Sequence, residues 1–246
     1  MPAILQVDRV TRYFAGLAAL KDVSFAVEAG AICGLIGPNG AGKTTLLAIV
    51  AGALRPTSGA VIFEGRDLTG ARSDAAARAG IVRTHQVPRP FRALSVLENV
   101  EVGRRFGRAG ASPADGHPTA AADPIQVLEQ VGLAGRAGAM AGTLSVGDQK
   151  RLELARCLAA RPSLLLCDEV CSGLTEAETA SVLGLLRRIR DAGTTILYVE
   201  HNLKAIMAVC DHVVVLNYGQ KLAEGAPAAV RSDPAVIEAY IGGSGS

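Results

Sequence analysis

The chain has 246 residues, 49% of them hydrophobic and 20% charged. This balance allows one sizeable α/β domain with a proper core and excludes a disordered chain. The 25 Lys and Arg against 23 Asp and Glu leave a formal charge of +2, without the basic block that follows a nucleic-acid backbone, so we expect no nucleic-acid partner. The longest apolar runs, residues 164–167 and 213–216, are far shorter than the roughly 18 residues that a membrane-spanning helix needs.

The amino terminus and the cysteines predict the compartment. Residues 1–10 alternate apolar and polar side chains and lack the uninterrupted apolar region of a signal peptide, so we expect a cytoplasmic protein. The cysteines are odd in number and form no CxxC pair with a partner pair. We therefore predict reduced and mostly buried thiols, at Cys33, Cys157, Cys167, Cys171 and Cys210.

The first half of the chain predicts strands and helices around a glycine loop. Its apolar patterns predict three strands, over residues 4–9, 23–28 and 31–36. The third is apolar almost throughout, which indicates burial on both faces, and it leads into the glycine-rich residues 37–42 and a helix over 44–51. Turn signals then predict, in order, an antiparallel hairpin, a helix and a strand leading to Gln86, over residues 55–68, 73–79 and 81–84.

The middle of the chain changes to a helical pattern before the α/β alternation resumes. Two helices are predicted on either side of a Gly/Ala/Pro-rich loop or mobile insertion, at 96–102 and 125–131, with the insertion at 103–124. The later helices are predicted over residues 149–160, 175–190, 203–210 and 234–240. A buried strand over 164–167, a strand over 194–199 and a hairpin over 212–224 are predicted between them. Thr175 and Glu178 fit a capping box, and Gly193 fits a left-handed helix end.

Residues 37–44 match the P-loop pattern G-x-x-x-x-G-K-[ST]. Small residues in this pattern let backbone N–H groups point at phosphate oxygens, while Lys43 is expected to reach the β- and γ-phosphates and the Thr44 hydroxyl to bind Mg²⁺. The alternative is a glycine-rich turn that happens to precede a lysine, and the strand before it and the helix after it disfavour that alternative. The motif alone predicts a nucleoside-triphosphate site without identifying the reaction.

Asp168 and Glu169 follow the apolar run of residues 164–167. An acid at the carboxyl end of a buried parallel strand stands where a second magnesium contact is needed beside a P-loop, and an adjacent carboxylate can orient the attacking water. We therefore assign the metal to Asp168 and the water to Glu169. An acidic pair usually marks a solvated loop, but this pair ends a buried strand.

Two further segments are expected to contact phosphate. His201 follows the strand over 194–199 and can donate a hydrogen bond to the γ-phosphate, although a lone histidine is more often structural. Residues 144–149 open a helix with Ser145 as its N-cap, and the free N–H groups of a helix N-terminus favour a phosphate. Since Lys43 already holds phosphate from one side, this second anion site predicts ATP between two protomers; the alternative is a plain N-cap.

Taken together, these motifs resemble those of an ABC-transporter ATPase. The P-loop, Gln86, the signature over 144–149, the Walker B run over 164–169 and His201 occur in that family's order and span nearly the whole chain. The resemblance implies an α/β fold, with a RecA-like P-loop NTPase core, an ABC antiparallel β subdomain and an inserted α-helical subdomain. It implies a single ABC ATPase domain, a helical subdomain and a carboxy-terminal hairpin and helix, at residues 1–246, about 88–160 and about 212–246.

The resemblance also implies roles for individual residues. Phe14, or its neighbour Tyr13, stacks on adenine, and residues 173–175 form part of a loop across the dimer interface. The implied nucleotide-binding set is Phe14, Gly37, Pro38, Asn39, Gly40, Ala41, Gly42, Lys43, Thr44, Thr45, Ser145 and Gly147, with Ser145 and Gly147 closing on the partner's γ-phosphate. The implied Mg²⁺ set is Thr44, Gln86 and Asp168, and the implied catalytic set is Glu169, His201 and Gln86.

Within that family, the chain is most similar to the LivG-like ATPases of branched-chain amino-acid importers. The segments that carry this similarity are 83–86, 94–100, 199–202 and 236–242. The resemblance implies ATP and Mg²⁺ as cofactors and a place on the inner face of a bacterial membrane. The implied partners are a second ABC ATPase subunit, identical or paralogous, integral-membrane permease subunits, and a periplasmic or extracellular substrate-binding protein.

Other functions are compatible with parts of this pattern. Related subunits serve urea or short-chain amides, or extract lipopolysaccharide. Soluble ABC ATPases that act on DNA or ribosomes usually carry a long coiled coil or two cassettes in tandem, and this chain has neither. A small kinase or GTPase would leave the signature and His201 unexplained.

The sequence departs from the family pattern at three positions. Val146 and Asp148 replace residues of the usual LSGGQ signature, and Val170 replaces the proline of the usual Asp-Glu-Pro. LivG-like members commonly vary at the first two positions, so we do not take these changes as a loss of activity. A proline would fix the turn after Glu169; with valine there we expect a looser catalytic loop and slower turnover, which Val170→Pro tests.

Overall fold

The strands of the chain are divided between two β-sheets. The computed structural model describes residues 2–107 and 123–241. Its strands are β1 (Ala3–Phe14), β2 (Leu17–Glu28), β3 (Ile32–Ile36), β4 (Ser58–Phe63), β5 (Arg66–Asp67), β6 (Ile81–Arg83), β7 (Leu164–Asp168), β8 (Thr195–Val199), β9 (His212–Asn217) and β10 (Gln220–Gly225). Its α-helices are α1 (Lys43–Val50), α2 (Ser73–Ala79), α3 (Val96–Phe106), α4 (Pro124–Val131), α5 (Val146–Ala159), α6 (Glu176–Asp191), α7 (Leu203–Val209), α8 (Pro227–Ser232) and α9 (Pro234–Ile241).

The larger sheet has the strand order β10-β9-β3-β8-β7-β6. All its pairings are parallel except that of β10 with β9. Strands β3, β7 and β8 are buried at every position, as their continuous apolar runs predict. Val199 pairs with Leu35 on one side and with Asp168 on the other. The loops that follow β3, β7 and β8 therefore meet at one edge of the sheet.

The smaller sheet is antiparallel, with the order β2-β1-β4-β5. It confirms the predicted hairpin of β4 and β5, but its first hairpin is longer than predicted. The sequence predicted strands only over 4–9 and 23–28, whereas β1 and β2 continue to Phe14 and back from Leu17. Register shifts interrupt this outer half, and Tyr13, Phe14 and Leu17 are exposed. The apolar alternation that marks a strand is therefore lost there.

The helices follow the predicted order, with three differences. Helix α3 continues to Phe106, although the sequence predicted a loop from Gly103, because glycine here permits close packing: a Cβ on Gly103 would lie 2.2 Å from the carbonyl oxygen of Arg156 on α5. Helix α5 begins at Val146 rather than at Gln149, and α8 was not predicted. The rest of the predicted insertion, residues 108–122, lies outside the described residues. The division into subdomains stays a prediction.

Two apolar clusters cover opposite faces of the larger sheet. One joins Ile32, Leu165 and Tyr198 to helices α3 to α9, and the other joins Leu35 and Leu166 to α1 and the antiparallel sheet. The described cysteines are all unpaired and buried, as predicted. Within residues 2–107 and 123–241, no helix is both long enough and apolar enough to cross a membrane.

Candidate active site

The P-loop connects β3 to α1 and requires its glycines. Gly37, Gly40 and Gly42 have φ angles of 148°, 78° and 98°, in the left-handed region that disfavours residues with a side chain. A Cβ on Gly37 would lie 2.1 Å from the carbonyl oxygen of Leu216, and one on Gly42 would lie 2.6 Å from that of Ala19. The loop is therefore packed between the β1–β2 hairpin and β9.

Lys43 lies with its ammonium group inside this loop. Its Nζ donates hydrogen bonds to the carbonyl oxygens of Gly37, at 2.7 Å, and Pro38, at 2.9 Å. Burial lowers the pKa of Lys43, and the carboxylates of Glu169 and Asp168 oppose this shift. No side chain caps the N-terminus of α1, so its backbone N–H groups and the Lys43 charge together suit a phosphate anion.

A cavity of about 550 Å³ adjoins the loop. Its lining comprises the P-loop, His201, the β9–β10 turn and α9, through Gly37, Pro38, Asn39, Gly40, Ala41, His201, Asn217, Tyr218, Ala239 and Tyr240. A larger cavity of about 930 Å³ lies near Ser163 and Thr195, at the amino ends of β7 and β8. Because ligands of open α/β sheets bind at the carboxyl ends of the strands, we take the smaller cavity as the site.

Tyr240 is a part of this cavity that the sequence did not reveal. Its hydroxyl is buried against the backbone amide of Gly37. Burial raises the pKa of Tyr240 to about 12, and the hydrogen bond from Gly37 partly offsets that rise. The segment over 236–242 was noted for its similarity to one subfamily, but only the fold brings its helix against the P-loop.

Asp168 is buried at the end of β7 and forms an ion pair. Its Oδ2 accepts a hydrogen bond from Nη2 of Arg83 at 2.7 Å, and its backbone N–H donates to Oγ1 of Thr84 at 3.0 Å. Both partners come from β6 and the residue after it. The sequence analysis quoted Arg83 and Thr84 only as part of a subfamily phrase and assigned neither a role.

The oxygen donors near the P-loop fit Mg²⁺. Asp168 offers a buried carboxylate, and Thr44 and Thr45 lie in the first turn of α1, Thr44 exposed and Thr45 partly buried. The described residues contain no group of three or more His, Cys, Asp or Glu side chains able to hold a metal. Mg²⁺ commonly uses one or two protein oxygens together with substrate phosphates, so this donor set fits a metal held jointly with a nucleotide.

Gln86, Glu169 and His201 come together from the ends of three adjacent strands. Nε2 of Gln86 donates to Oε2 of Glu169 at 2.5 Å. Nδ1 of His201 lies 3.3 Å from Oε1 of the same carboxylate. Glu169 itself has a φ of 49°, a left-handed conformation that is uncommon for a residue other than glycine. The backbone N–H of Glu169 donates to the carbonyl oxygen of Val199 at 3.0 Å.

Several hydrogen bonds hold the loop after Glu169. The N–H of Ser172 donates to the carbonyl oxygen of Glu169 at 3.1 Å, which closes a four-residue turn. Nζ of Lys150 donates to the same oxygen at 3.1 Å, and the N–H of Cys171 donates to Oε1 of Glu200 at 3.0 Å. Side chains from α5 and from the end of β8 therefore contact the loop, and the expected looser loop and slower turnover stay predictions.

Ser145 caps α5, as predicted. Its Oγ accepts a hydrogen bond from the backbone N–H of Asp148 at 3.2 Å. Gly147 faces α6, where a Cβ would lie 2.8 Å from Oε1 of Glu178. Neither Ser145 nor Gly147 is among the residues that line the cavity beside the P-loop.

The two candidate adenine-stacking residues lie at the end of β1. Tyr13 and Phe14 are each 44% exposed. The guanidinium of Arg12 lies 4.6 Å from the ring centre of Phe14, and the N–H of Tyr13 donates to Oγ1 of Thr57. Exposure does not distinguish the two rings, and the choice between them stays open.

The segment after Gln86 is anchored to the helices. Asn99, buried on α3, accepts a hydrogen bond from the N–H of Phe91 and donates to the Phe91 carbonyl oxygen. The Arg156 guanidinium lies 4.8 Å from the centre of the Phe91 ring. Val87, which precedes Phe91 in this segment, is 68% exposed. The segment therefore presents an exposed apolar side chain within a few residues of Gln86.

Comparisons with known proteins agree with this site. The family model described as "ABC transporter" matches residues 20–172, which is more than half of the chain. The chain belongs to the ABC transporter family, as an ATP-binding subunit. A second model, described as "Branched-chain amino acid ATP-binding cassette transporter", matches residues 220–245.

Individual relatives agree over almost the full length. The high-affinity branched-chain amino acid transport ATP-binding proteins BraF of Pseudomonas aeruginosa and LivG of Escherichia coli are 37% and 36% identical, over 97% of this chain and 98% of each relative. A solved ATP-binding cassette of an ABC transporter in its ADP conformation is 32% identical, with a TM-score of 0.87, over 98% of this chain and 100% of that one. These likenesses confirm the predicted LivG-like resemblance and the P-loop ABC fold.

Proposed function

We propose that this chain is the ATP-hydrolysing subunit of an importer for branched-chain amino acids. The observation that carries the proposal is the meeting of Gln86, Glu169 and His201 beside a P-loop whose Lys43 is buried. The relatives whose names specify branched-chain amino-acid transport support the cargo, since they match 97% of the chain. The geometry of the site thus supports ATP hydrolysis, and the relatives separately support the transported substrate.

Lys43 and the P-loop amides hold the β- and γ-phosphates of ATP. The ammonium group is buried and hydrogen-bonded to two loop carbonyl oxygens, and its charge suits strong charge-assisted hydrogen bonds to phosphate. Thr44, Gln86 and Asp168 would hold Mg²⁺, which neutralises charge on the β- and γ-oxygens when bound. Thr45 and either Phe14 or Tyr13 complete the nucleotide contacts.

Glu169 accepts a hydrogen bond from the attacking water and orients it toward the γ-phosphorus. Gln86 and His201 lie on opposite oxygens of this carboxylate, so each can contact either the water or the γ-phosphate while Glu169 keeps its position. The imidazole of His201 donates a hydrogen bond to the phosphoryl group as negative charge develops on its oxygens in the transition state.

A second ABC ATPase subunit completes each site. Ser145 and Gly147 lie at the N-terminus of α5, and neither is among the residues that line the cavity beside the P-loop. Two chains arranged head to tail would bring the α5 N-terminus of one onto the γ-phosphate held by the other, which suits an anion. Closure on ATP and reopening after hydrolysis then provide the mechanical stroke.

Membrane permease subunits receive this motion. The segment after Gln86 is firmly tied to α3 and α5 but exposes Val87, so movement of the helices moves an apolar side chain at the surface. We place the chain on the inner face of a bacterial membrane, where the permease connects it to a substrate-binding protein outside.

Uptake in cells tests the cargo. Cells lacking the gene are complemented with the wild-type chain or with Lys43→Ala, and uptake of labelled leucine and labelled urea is measured. We expect only the wild type to restore leucine uptake. Restored urea uptake would retain the motor and change its cargo, and no change in either would contradict the import proposal and favour lipopolysaccharide export.

A further inference from the structure

The turn that follows Glu169 lacks the residue that would normally fix it. The hydrogen bond from the Ser172 N–H to the Glu169 carbonyl oxygen makes Val170 the second residue of a four-residue turn. Proline is favoured at this position because its ring presets φ. Glu169, at the start of the turn, has a φ of 49°, which costs free energy unless the surroundings stabilise it.

Lys150 supplies such a stabilising contact from α5. Its side chain is buried, and Nζ donates to the carbonyl oxygen of Glu169 at 3.1 Å. Burial lowers the pKa of Lys150, and the carboxylates of Glu200, Glu153 and Glu169 oppose this shift. These carboxylates favour the charged ammonium group, which makes a stronger hydrogen bond to a carbonyl oxygen than a neutral donor does.

Glu200 holds the other half of the turn. Its side chain is buried, and Oε1 accepts a hydrogen bond from the N–H of Cys171 at 3.0 Å. Glu200 also directly precedes His201, whose ring contacts Glu169. The turn is thus held at its first carbonyl oxygen by Lys150 and at its third N–H by Glu200.

Lys150 lies on the same helix as the signature residues. Helix α5 is capped by Ser145, and Lys150 lies little more than one turn further along the same helix. One rigid element therefore carries both the signature residues and the side chain that holds Glu169.

We propose that Lys150 is a positioning residue that orients Glu169 in place of the absent proline and links it to the signature helix. The inference rests on the proposed role of Glu169 as the residue that orients water. It assigns no contact with nucleotide to Lys150, so its removal should alter the chemical step and leave ATP affinity unchanged.

The experiment uses the full chain and three substitutions. Lys150→Met removes the donor while keeping the length of the side chain, Val170→Pro supplies the missing constraint, and Glu169→Gln removes the carboxylate. We measure kcat and KM for ATP hydrolysis, affinity for a fluorescent ATP analogue, and folding by circular dichroism. Lys204→Met, which alters an exposed lysine of α7, is the matched control.

Lys150→Met is expected to lower kcat about tenfold or more, because a small misplacement of a reacting group can have an effect of this size, with analogue affinity unchanged. Val170→Pro is expected to restore most of the lost rate in the double variant. In the Glu169→Gln background, Lys150→Met should change the residual rate less than about twofold, because residues that act as a unit are not additive. Lys204→Met should match the wild type.

The inference is overturned if Lys150→Met retains the wild-type kcat, weakens analogue binding in parallel with kcat, or is not rescued by Val170→Pro. If Lys150→Met does not fold, Lys150→Leu, which is shorter and also has no donor, takes its place and is judged by the same outcomes. Full activity of Glu169→Gln would instead refute the role of Glu169 itself. A large loss in Glu169→Gln with none in Lys150→Met would refute the inference alone.

Discussion

Arg83 and Asp168 form an ion pair at the carboxyl ends of the parallel strands of the larger sheet, with Nη2 and Oδ2 separated by 2.7 Å. The Asp168 side chain is 4% exposed and that of Arg83 21%. The carboxylate that we assign to Mg²⁺ therefore has a cation beside it within the protein itself. This arrangement explains how β7 can end in a buried charge.

Removal of Arg83 should destabilise the protein. Arg83→Met leaves the Asp168 carboxylate buried without its partner, and we expect the free energy of unfolding to fall by about 3 kcal/mol. Urea denaturation measures the loss. MgADP should recover part of it, because a bound cation can replace the guanidinium, whereas ADP with a chelator should recover less.

The double variant Arg83→Met/Asp168→Asn is the control for this prediction. It removes both charges, so it should be more stable than Arg83→Met alone. Equal stability of the two variants would mean that the ion pair does not determine the loss.

Lys43→Ala should weaken nucleotide binding without unfolding the chain. The Lys43 ammonium group contacts only loop carbonyl oxygens among the hydrogen bonds observed for it, and loss of a charged hydrogen-bonding group corresponds to about a tenfold or greater loss of affinity. Titration with a fluorescent ATP analogue measures the affinity, and a thermal melt checks the fold. Binding equal to that of the exposed-site variant Lys204→Ala would contradict the assignment.

Glu169→Gln should accumulate as an ATP-bound dimer. The amide keeps the shape of the side chain but cannot act as a base, so closure proceeds and reopening is blocked. Size-exclusion chromatography with light scattering should show the mass of two chains at saturating MgATP. Adding Ser145→Arg, which places a bulky side chain at the N-terminus of α5, should return the protein to a monomer.

A monomeric Glu169→Gln chain at saturating MgATP would count against the shared site. A dimer that persists with Ser145→Arg would show that the signature does not form the contact.

Gly103→Ala should weaken the packing of α3 on α5. The added Cβ would meet the carbonyl oxygen of Arg156 at 2.2 Å, and we expect a loss of about 2 kcal/mol or more in the free energy of unfolding. Gly135→Ala is the matched control, since a Cβ there meets no atom within 4 Å and the change should stay within about 0.5 kcal/mol. Equal urea midpoints for the two variants would contradict this interpretation.

Local sequence signals predicted much of this fold because they act over a few residues. Helix α2 has the predicted bounds, Thr175 and Glu178 form the expected capping box, and Gly193 follows α6 with a φ of 98°. The P-loop likewise combines a buried strand, a glycine turn and a helix in one short segment. Each of these features depends on neighbours in the chain.

The contacts around Glu169 could not be predicted in this way. Gln86, from the loop after β6, and Lys150, from α5, contact Glu169, whereas Glu200, directly after β8, contacts Cys171. The register of a parallel sheet, which brings these residues together, is not encoded by any one segment. The sequence revealed the acids and the histidine because each belongs to a recognisable motif. It also named Gln86, but it assigned no role to Lys150 or Glu200, since a buried lysine on a helix has no pattern of its own.

The two halves of the site differ in how firmly the sheet supports them. Strand β3, which leads into the P-loop, has a neighbour on each side, whereas β6, which leads to Gln86, is a three-residue strand at the edge of the sheet. Edge strands with short ladders open at lower free energy than central ones. Gln86 can therefore move away from Glu169 while the P-loop keeps its structure. Hydrolysis would then stop without loss of the bound nucleotide.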